Sequence, residues 1–135
     1  MAKVRNILGL IAGVILILSS AAHSILGWKS LSAELATTNI PDKLIFGLKA
    51  GWEFGGLAML AFGIIVVAIF VQQLRGAYTS LFPAQIIAMA YIGIGAWALF
   101  ASNYDPFFWI FIVPGALLAL ASFVNSANSA RLRRL

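Results

Sequence analysis

The sequence contains no cysteine and only one histidine among its 135 residues. Without thiols, the chain itself offers no disulfide exchange, no thiolate metal site and no iron–sulfur cluster. A single histidine also excludes a bis-histidine haem within one protomer. No Ser-His-Asp arrangement, phosphate loop or dinucleotide fingerprint is present. His23, Glu53 and Asp105 offer too few ligands for an evident metal site, so we expect no bound metal.

Apolar residues dominate what remains: 62% of the chain is hydrophobic, and its mean hydropathy is +1.00. A soluble domain of this size could not bury that much apolar surface. A membrane-spanning helix needs about 20 apolar residues, and the chain contains four such stretches. We therefore predict an all-α, four-helix transmembrane bundle that forms one integral membrane domain over residues 1–135. The helices are expected at about 4–27, 43–74, 78–101 and 106–125.

Positive charge is concentrated on one side of this predicted bundle. That side holds both termini and the middle loop, and its sequence segments contain no Asp or Glu. Its basic residues are Lys3, Arg5, Arg75, Arg131, Arg133 and Arg134. Lys and Arg in short flanking loops set orientation, which predicts cytoplasmic termini in a plasma (bacterial inner) membrane. The three C-terminal arginines are expected to contact anionic lipid. The basic residues are too few for a nucleic-acid partner, and orientation explains them better.

Glycines spaced four residues apart indicate where helices approach closely. Gly9 and Gly13 form one such pair in the first helix, and Gly47, Gly51 and Gly55 recur on one face of the second. We expect both sets to pack against neighbouring helices. The short connection 72–77 predicts that the second and third helices are antiparallel neighbours.

Aromatic and polar side chains gather in the outer half of the predicted bundle. Glu53 is the most informative, because a carboxylate at membrane depth is unfavourable unless it is paired, protonated or hydrated. Counting about 1.5 Å per residue from the basic ends places Glu53 and His23 at comparable depth. A pair of these two side chains would relay protons or bind a polar headgroup. The candidate ligand-binding residues are His23, Trp28, Lys49, Trp52, Glu53, Trp97, Asn103 and Asp105.

We interpret this cluster as a pocket that opens toward the outer leaflet or the outer water. Two simpler readings stay open at this point. The tryptophans also suit an interfacial aromatic belt, which many membrane proteins carry. Glu53 and His23 would also be stable as separate residues that contact water or lipid headgroups.

The segment Gly51-Trp52-Glu53-Phe54-Gly55-Gly56, followed by an apolar run to Gly63, resembles the second-helix motif of DoxX-like membrane proteins. In that motif a Glu precedes a Gly pair by two residues, and the apolar run ends in Gly. The resemblance implies a small bundle, sometimes a subunit of a quinone-linked oxidoreductase or of a membrane redox assembly. Such proteins often carry a Lys after the first helix, where this chain has His23 and Lys29.

The predicted function is a non-catalytic or weakly catalytic membrane subunit that binds a quinone, a lipid or a similar amphiphile near the outer leaflet. Glu53 and His23 would be the polar anchors, with Trp28, Trp52 and Trp97 lining the site. The chain shows no cofactor chemistry of its own, so any redox step belongs to a partner. Expected partners are membrane lipid, other membrane subunits or further copies of the chain. The alternatives are a proton-coupled transporter or channel formed by a homo-oligomer, and a purely structural assembly subunit.

Overall fold

The computed structural model describes the backbone of residues 2–132 and the side chains of residues 2–123. Within this range the chain is helical and contains no strand. Its elements are α1 (Ala2–Ala22), a π-helical turn (His23–Gly27), α2 (Trp28–Leu35), α3 (Asp42–Leu74), α4 (Phe82–Ala101), a 3-10 turn (Pro106–Phe108) and α5 (Trp109–Leu132). The side chains of Arg131, Arg133 and Arg134, which we expect to contact anionic lipid, lie outside the described residues.

Four helical stretches of the described chain are long and apolar enough to cross a membrane. They are Ala2–Leu35, Asp42–Leu74, Phe82–Ala101 and Pro106–Phe123. Only 28–33% of the most apolar window of each stretch is buried inside the bundle. Helices that are hydrophobic on all sides but buried on only one side need lipid around them. The prediction of an all-α fold with four helices long and apolar enough to span a membrane is therefore confirmed.

The first span runs further than predicted. It does not end at Gly27 but passes through the π-helical turn into α2, so the predicted outer loop 28–43 shortens to residues 36–41. Residues 28–35 are mostly good helix formers, and neither Gly nor Pro interrupts them. The hydroxyl groups of Thr37 and Thr38 donate to the carbonyl oxygens of Glu34 and Leu35, both at 2.7 Å, where the helix ends.

Two helices end in the same hydrogen-bond pattern, in which a residue with positive φ stops the helix. After α3 this residue is Gly76 (φ 82°), and the Ala77 N–H donates to the Gln72 carbonyl at 3.0 Å. After α4 it is Asn103 (φ 56°), and the Tyr104 N–H donates to the Leu99 carbonyl at 2.7 Å. Glycine and asparagine tolerate this left-handed conformation best, which explains both helix ends.

The third span starts later than predicted, at Phe82 rather than near Tyr78. The segment before it is held by the end of α3, because Gln73 Nε2 donates to the Thr79 carbonyl at 3.0 Å. Pro83 lies in the first turn of α4, where its missing N–H leaves no helical hydrogen bond unmade.

The helix α1 occupies the centre of the bundle and packs along both α3 and α5, while α4 packs mainly on α5. The helices α3 and α4 touch over a small area only, although a short loop joins them. The two helices are neighbours, as the short loop predicts, but each packs more extensively on another helix. A short loop limits the distance between two helix ends, but it does not specify which faces pack.

Small residues bring α1 and α3 together in antiparallel orientation. A Cβ atom at Gly63 would lie 2.6 Å from Ile17 Cγ1 and 2.9 Å from the Ile17 backbone nitrogen. One at Gly13 would lie 2.9 Å from Val66, and one at Gly9 would overlap the ring of Phe70. Van der Waals packing of this kind drives helix association in lipid, because lipid tails are as apolar as the helices and the hydrophobic effect does not bring the helices together.

The helices α3 and α4 differ in length. The 33 residues of α3 span about 50 Å, whereas the 20 residues of α4 span about 30 Å. Because α4 alone matches the ~30 Å hydrocarbon thickness, the pair formed by α1–α2 and α3 extends beyond it. The extension lies at the end of the bundle that carries the loop 36–41, since the opposite ends of α3 and α4 are joined by a short connection.

Candidate functional site

The base of this extension contains the π-helical turn His23–Gly27. A π-turn inserts one extra residue into a helix and often lies at functional sites. Here the turn presents Ser24 and Gly27 to α3 at very short range. A Cβ atom at Gly56 would overlap the Ser24 hydroxyl, and one at Gly27 would lie 2.7 Å from the indole ring of Trp52. At this level, side chains of each helix therefore pack directly against a glycine of the other helix.

His23 and Trp52 hold the two helices together through three contacts. The indole N–H of Trp52 donates to the His23 carbonyl oxygen at 2.8 Å, and His23 Nε2 lies 3.1 Å from the Trp52 carbonyl oxygen. Their rings are stacked, with centroids 4.3 Å apart and planes 6° apart. Each residue thus satisfies a main-chain carbonyl of the other, and the stacking fixes both ring planes.

Trp28 and Lys49 adjoin this pair. The rings of Trp28 and Trp52 lie 6.4 Å apart and are tilted by 56°, and Lys49 Nζ lies 5.9 Å from the centroid of Trp28. A cation over an indole face at this distance is favourable. Four of the residues that we predicted as ligand-binding are therefore close together in the structure: His23, Trp28, Lys49 and Trp52.

An open groove with a volume of about 660 Å³ lies beside the stacked rings. It is lined by His23, Lys43, Leu44, Gly47, Leu48, Gly51, Trp52 and Gly55. Its lining is mainly apolar, with His23 near one end and Lys43 near the other. Lys43 and Gly55 are twelve residues apart on α3, so the groove runs for about 18 Å along the helix.

The prediction that Gly47, Gly51 and Gly55 pack against a neighbouring helix was wrong for Gly47 and Gly51 within the described chain, whereas Gly55 contacts the π-helical turn. A Cβ atom at Gly47 or Gly51 would meet no atom within 4 Å, and one at Gly55 would meet only His23 Nε2, at 3.4 Å. The α1–α2 helix instead packs on Gly56 and Gly63, about 100° around α3 from Gly55. The absence of side chains at the three predicted glycines leaves the floor of the groove open.

Glu53 does not line the groove. It lies about 160° around α3 from both Gly51 and Gly55 and is exposed. Its carboxylate forms no hydrogen bond or ion pair with the residues that the structure describes, so the predicted His23–Glu53 pair is not formed. Glu53 lies about 32 Å along α3 from Leu74, slightly more than the ~30 Å hydrocarbon thickness. At that level a carboxylate can remain hydrated without a protein partner.

Trp97, Asn103 and Asp105 lie away from the groove, around the turn between α4 and α5. The side chain of Trp97 is 67% exposed. Asn103 ends α4, and Asp105 Oδ1 accepts a hydrogen bond from the Phe107 N–H at 2.9 Å, which starts the next helical turn. Neither α4 nor the 3-10 turn packs against the π-helical turn or α2. The predicted single pocket therefore separates into a groove on α3 and a capped turn elsewhere.

Sequence reasoning missed several residues at the groove. Ser24 and Gly27 form the tight contact that positions His23, and Lys43 and Leu44 line one end. Gly56, which completes that contact, was named in the sequence only as part of the DoxX-like motif. Gly56 and Gly63 are seven residues apart and lie on the same helix face. That spacing of seven marks the packed face of α3, whereas the spacing of four shared by Gly47, Gly51 and Gly55 marks the open face.

Comparison of the chain with protein-family models, with curated proteins and with solved structures gives no match. The resemblance of residues 51–63 to the DoxX-like motif therefore stays a prediction.

Proposed function

We propose that this chain is a non-catalytic membrane subunit that binds a quinone, a lipid or a similar amphiphile in the groove along α3. The observation that carries the proposal is the open groove of about 660 Å³ beside the stacked His23 and Trp52 rings. Its apolar lining, with few polar groups placed at its ends, is typical of sites for ring-bearing or chain-bearing ligands. In a DoxX-like setting, the partner subunit of a redox-linked complex would perform any electron transfer.

We also propose that the groove lies on the outer side of a plasma membrane and that both termini are cytoplasmic. Lys3, Arg5 and Arg75 support this orientation, because they flank the ends of α1 and α3 opposite to the groove. Glu34, Asp42 and Glu53 lie at the groove end, where Lys and Arg give no net excess. An amphiphile would then enter the groove from the outer leaflet.

A leucine at Gly51 tests this proposal directly. The substitution fills the groove, and the absence of any atom within 4 Å of a Cβ there leaves room for the side chain without disturbing the bundle. The matched control is Gly93→Leu in α4, because a Cβ at Gly93 also meets nothing within 4 Å.

The measurement is mass spectrometry of the amphiphiles that co-purify with the protein in native nanodiscs. We expect the wild type and Gly93→Leu to retain the same bound species and Gly51→Leu to lose it. An equal complement of amphiphiles in all three proteins contradicts the proposal.

A second candidate function is assembly, in which a helix of another membrane subunit docks on this face. Gly47 and Gly51 favour it. They lie four residues apart on a face that no other part of the described chain covers, and small residues let a second backbone approach closely. Under this alternative, Gly51→Leu removes a co-purifying protein rather than an amphiphile, so the same experiment separates the two.

A further inference from the structure

We propose that the groove on α3 prefers amphiphiles whose headgroup is anionic, and that Lys43 attracts this headgroup. The inference rests on the proposed function, because it names the chemistry of the molecule that the groove binds. It starts from the charges along the groove. Among the described residues that line it, Lys43 is the only Lys, Arg, Asp or Glu.

The helical period separates Lys43 from the other charged residues in this part of α3. Between residues 42 and 55 the charged residues are Asp42, Lys43, Lys49 and Glu53. Each residue turns a helix by about 100°, so Lys43 lies about 80° from Gly51, on the side of α3 that the groove occupies. The other three lie about 160–180° from Gly51, on the opposite side of the helix. Both acids are therefore turned away from the groove, and one cation remains on its face.

The ammonium group of Lys43 is available for an anion. The side chain is exposed and forms no hydrogen bond or ion pair with the residues that the structure describes. A lysine carries a compact charge with three donors on a flexible four-carbon stem. It can therefore follow a sulfate, phosphate or carboxylate headgroup, and no existing ion pair has to break first.

The depth of the groove orients the amphiphile within it. Along α3, Gly55 lies about 28 Å and Lys43 about 46 Å from Leu74. With a hydrocarbon thickness of ~30 Å, the groove begins at the edge of the hydrocarbon and ends above it, among headgroups and water. The apolar chain would lie toward Gly55, where it leaves the lipid. The headgroup would lie toward Lys43.

The expected preference is modest, because Lys43 is exposed. Ion pairs in such positions change affinity by about 1.5-fold to fivefold. They are also screened by salt, since the Debye length falls from about 10 Å at 0.1 M to about 3 Å at 1 M. We therefore expect the preference for an anion at 0.1 M salt and its loss at 1 M salt.

The preference is measured with two probes, dodecane-1-sulfonate and dodecyl methyl sulfone. They share the chain and the sulfonyl group, but only the first is charged. Binding is measured to the protein in phosphatidylcholine nanodiscs, and binding to empty nanodiscs is subtracted. We expect the wild type to bind the sulfonate about 1.5-fold to fivefold more tightly. Lys43→Gln should bind both probes equally, and Lys43→Arg should keep the preference.

Lys29→Gln is the matched control. It removes an exposed cation from the same end of the bundle, but Lys29 lies on α2 and does not line the groove. We expect this variant to prefer the sulfonate as the wild type does. If Lys29→Gln and Lys43→Gln lose the preference equally, the attraction comes from the charge of the whole surface, and the inference is overturned.

The outcomes separate this inference from the proposed function. If both probes bind the wild type equally and Gly51→Leu abolishes the binding of both, the groove binds amphiphiles but Lys43 does not select them by charge. The inference then falls and the proposed function stands. If neither probe binds beyond the level of empty nanodiscs, both fall.

Discussion

Replacing Gly63 with alanine should loosen the contact between α1 and α3, and the structure gives the size of the effect. The added Cβ would lie 2.6 Å from Ile17 Cγ1, 2.9 Å from the Ile17 backbone nitrogen and 3.1 Å from the Gly13 carbonyl oxygen. A side chain can rotate away, but two of these three atoms belong to the backbone. Because ordinary contacts begin at 3.4 Å, the helices must separate by about 0.5 Å.

A gap of that size forfeits about a quarter of the dispersion energy of each affected contact. Overpacking of this kind destabilises a protein by about 1–3 kcal/mol. Alanine also stabilises a helix relative to glycine by about 0.5–1 kcal/mol, which offsets part of the loss. We therefore expect Gly63→Ala to lower the free energy of unfolding by up to about 2.5 kcal/mol.

The assay is reversible unfolding in mixed detergent micelles, followed by circular dichroism. Gly93→Ala is the matched control, since its Cβ meets nothing within 4 Å and only the helix-propensity term applies. This control should be neutral or stabilised by up to about 1 kcal/mol. If Gly63→Ala is as stable as Gly93→Ala, the close approach of α1 and α3 is refuted.

Two further predictions concern the α4–α5 turn and the orientation of the chain. Asp105→Ala should lower stability by about 1 kcal/mol in the same unfolding assay, because the Phe107 N–H loses its acceptor, whereas Asp105→Asn retains it. Loss of amphiphile binding in Asp105→Ala at unchanged stability would instead return Asp105 to the ligand site. Since the chain has no native cysteine, single cysteines at Asn39 and Ala77 report orientation by labelling with an impermeant maleimide in intact cells. Asn39→Cys should react from outside and Ala77→Cys only after permeabilisation; the reverse pattern would place the termini outside.

The candidate site was predictable only in part. His23, Trp28, Lys49 and Trp52 were selected because they lie at similar depth on consecutive helices, and they are close together in the structure. Depth follows from counting residues along a helix, and the sequence suffices for that. Glu53 has nearly the same depth as Trp52, but it points about 100° away around α3. The contribution of Glu53 to a pocket therefore could not be derived from depth alone.

The amino-acid sequence by itself determined that the chain has four apolar helices of membrane-spanning length, because hydropathy and residue count decide this locally. The helix-ending role of Gly76 and Asn103 came from the structure, in which both residues have positive φ. Only the tertiary structure decided that α1 is central, that Gly56 and Gly63 rather than Gly47 and Gly51 meet it, and that a groove therefore stays open. The physical reason is that lipid solvates every face of an apolar helix equally well. The choice of packing face then depends on how small residues fit between helices, which appears only once the helices are assembled.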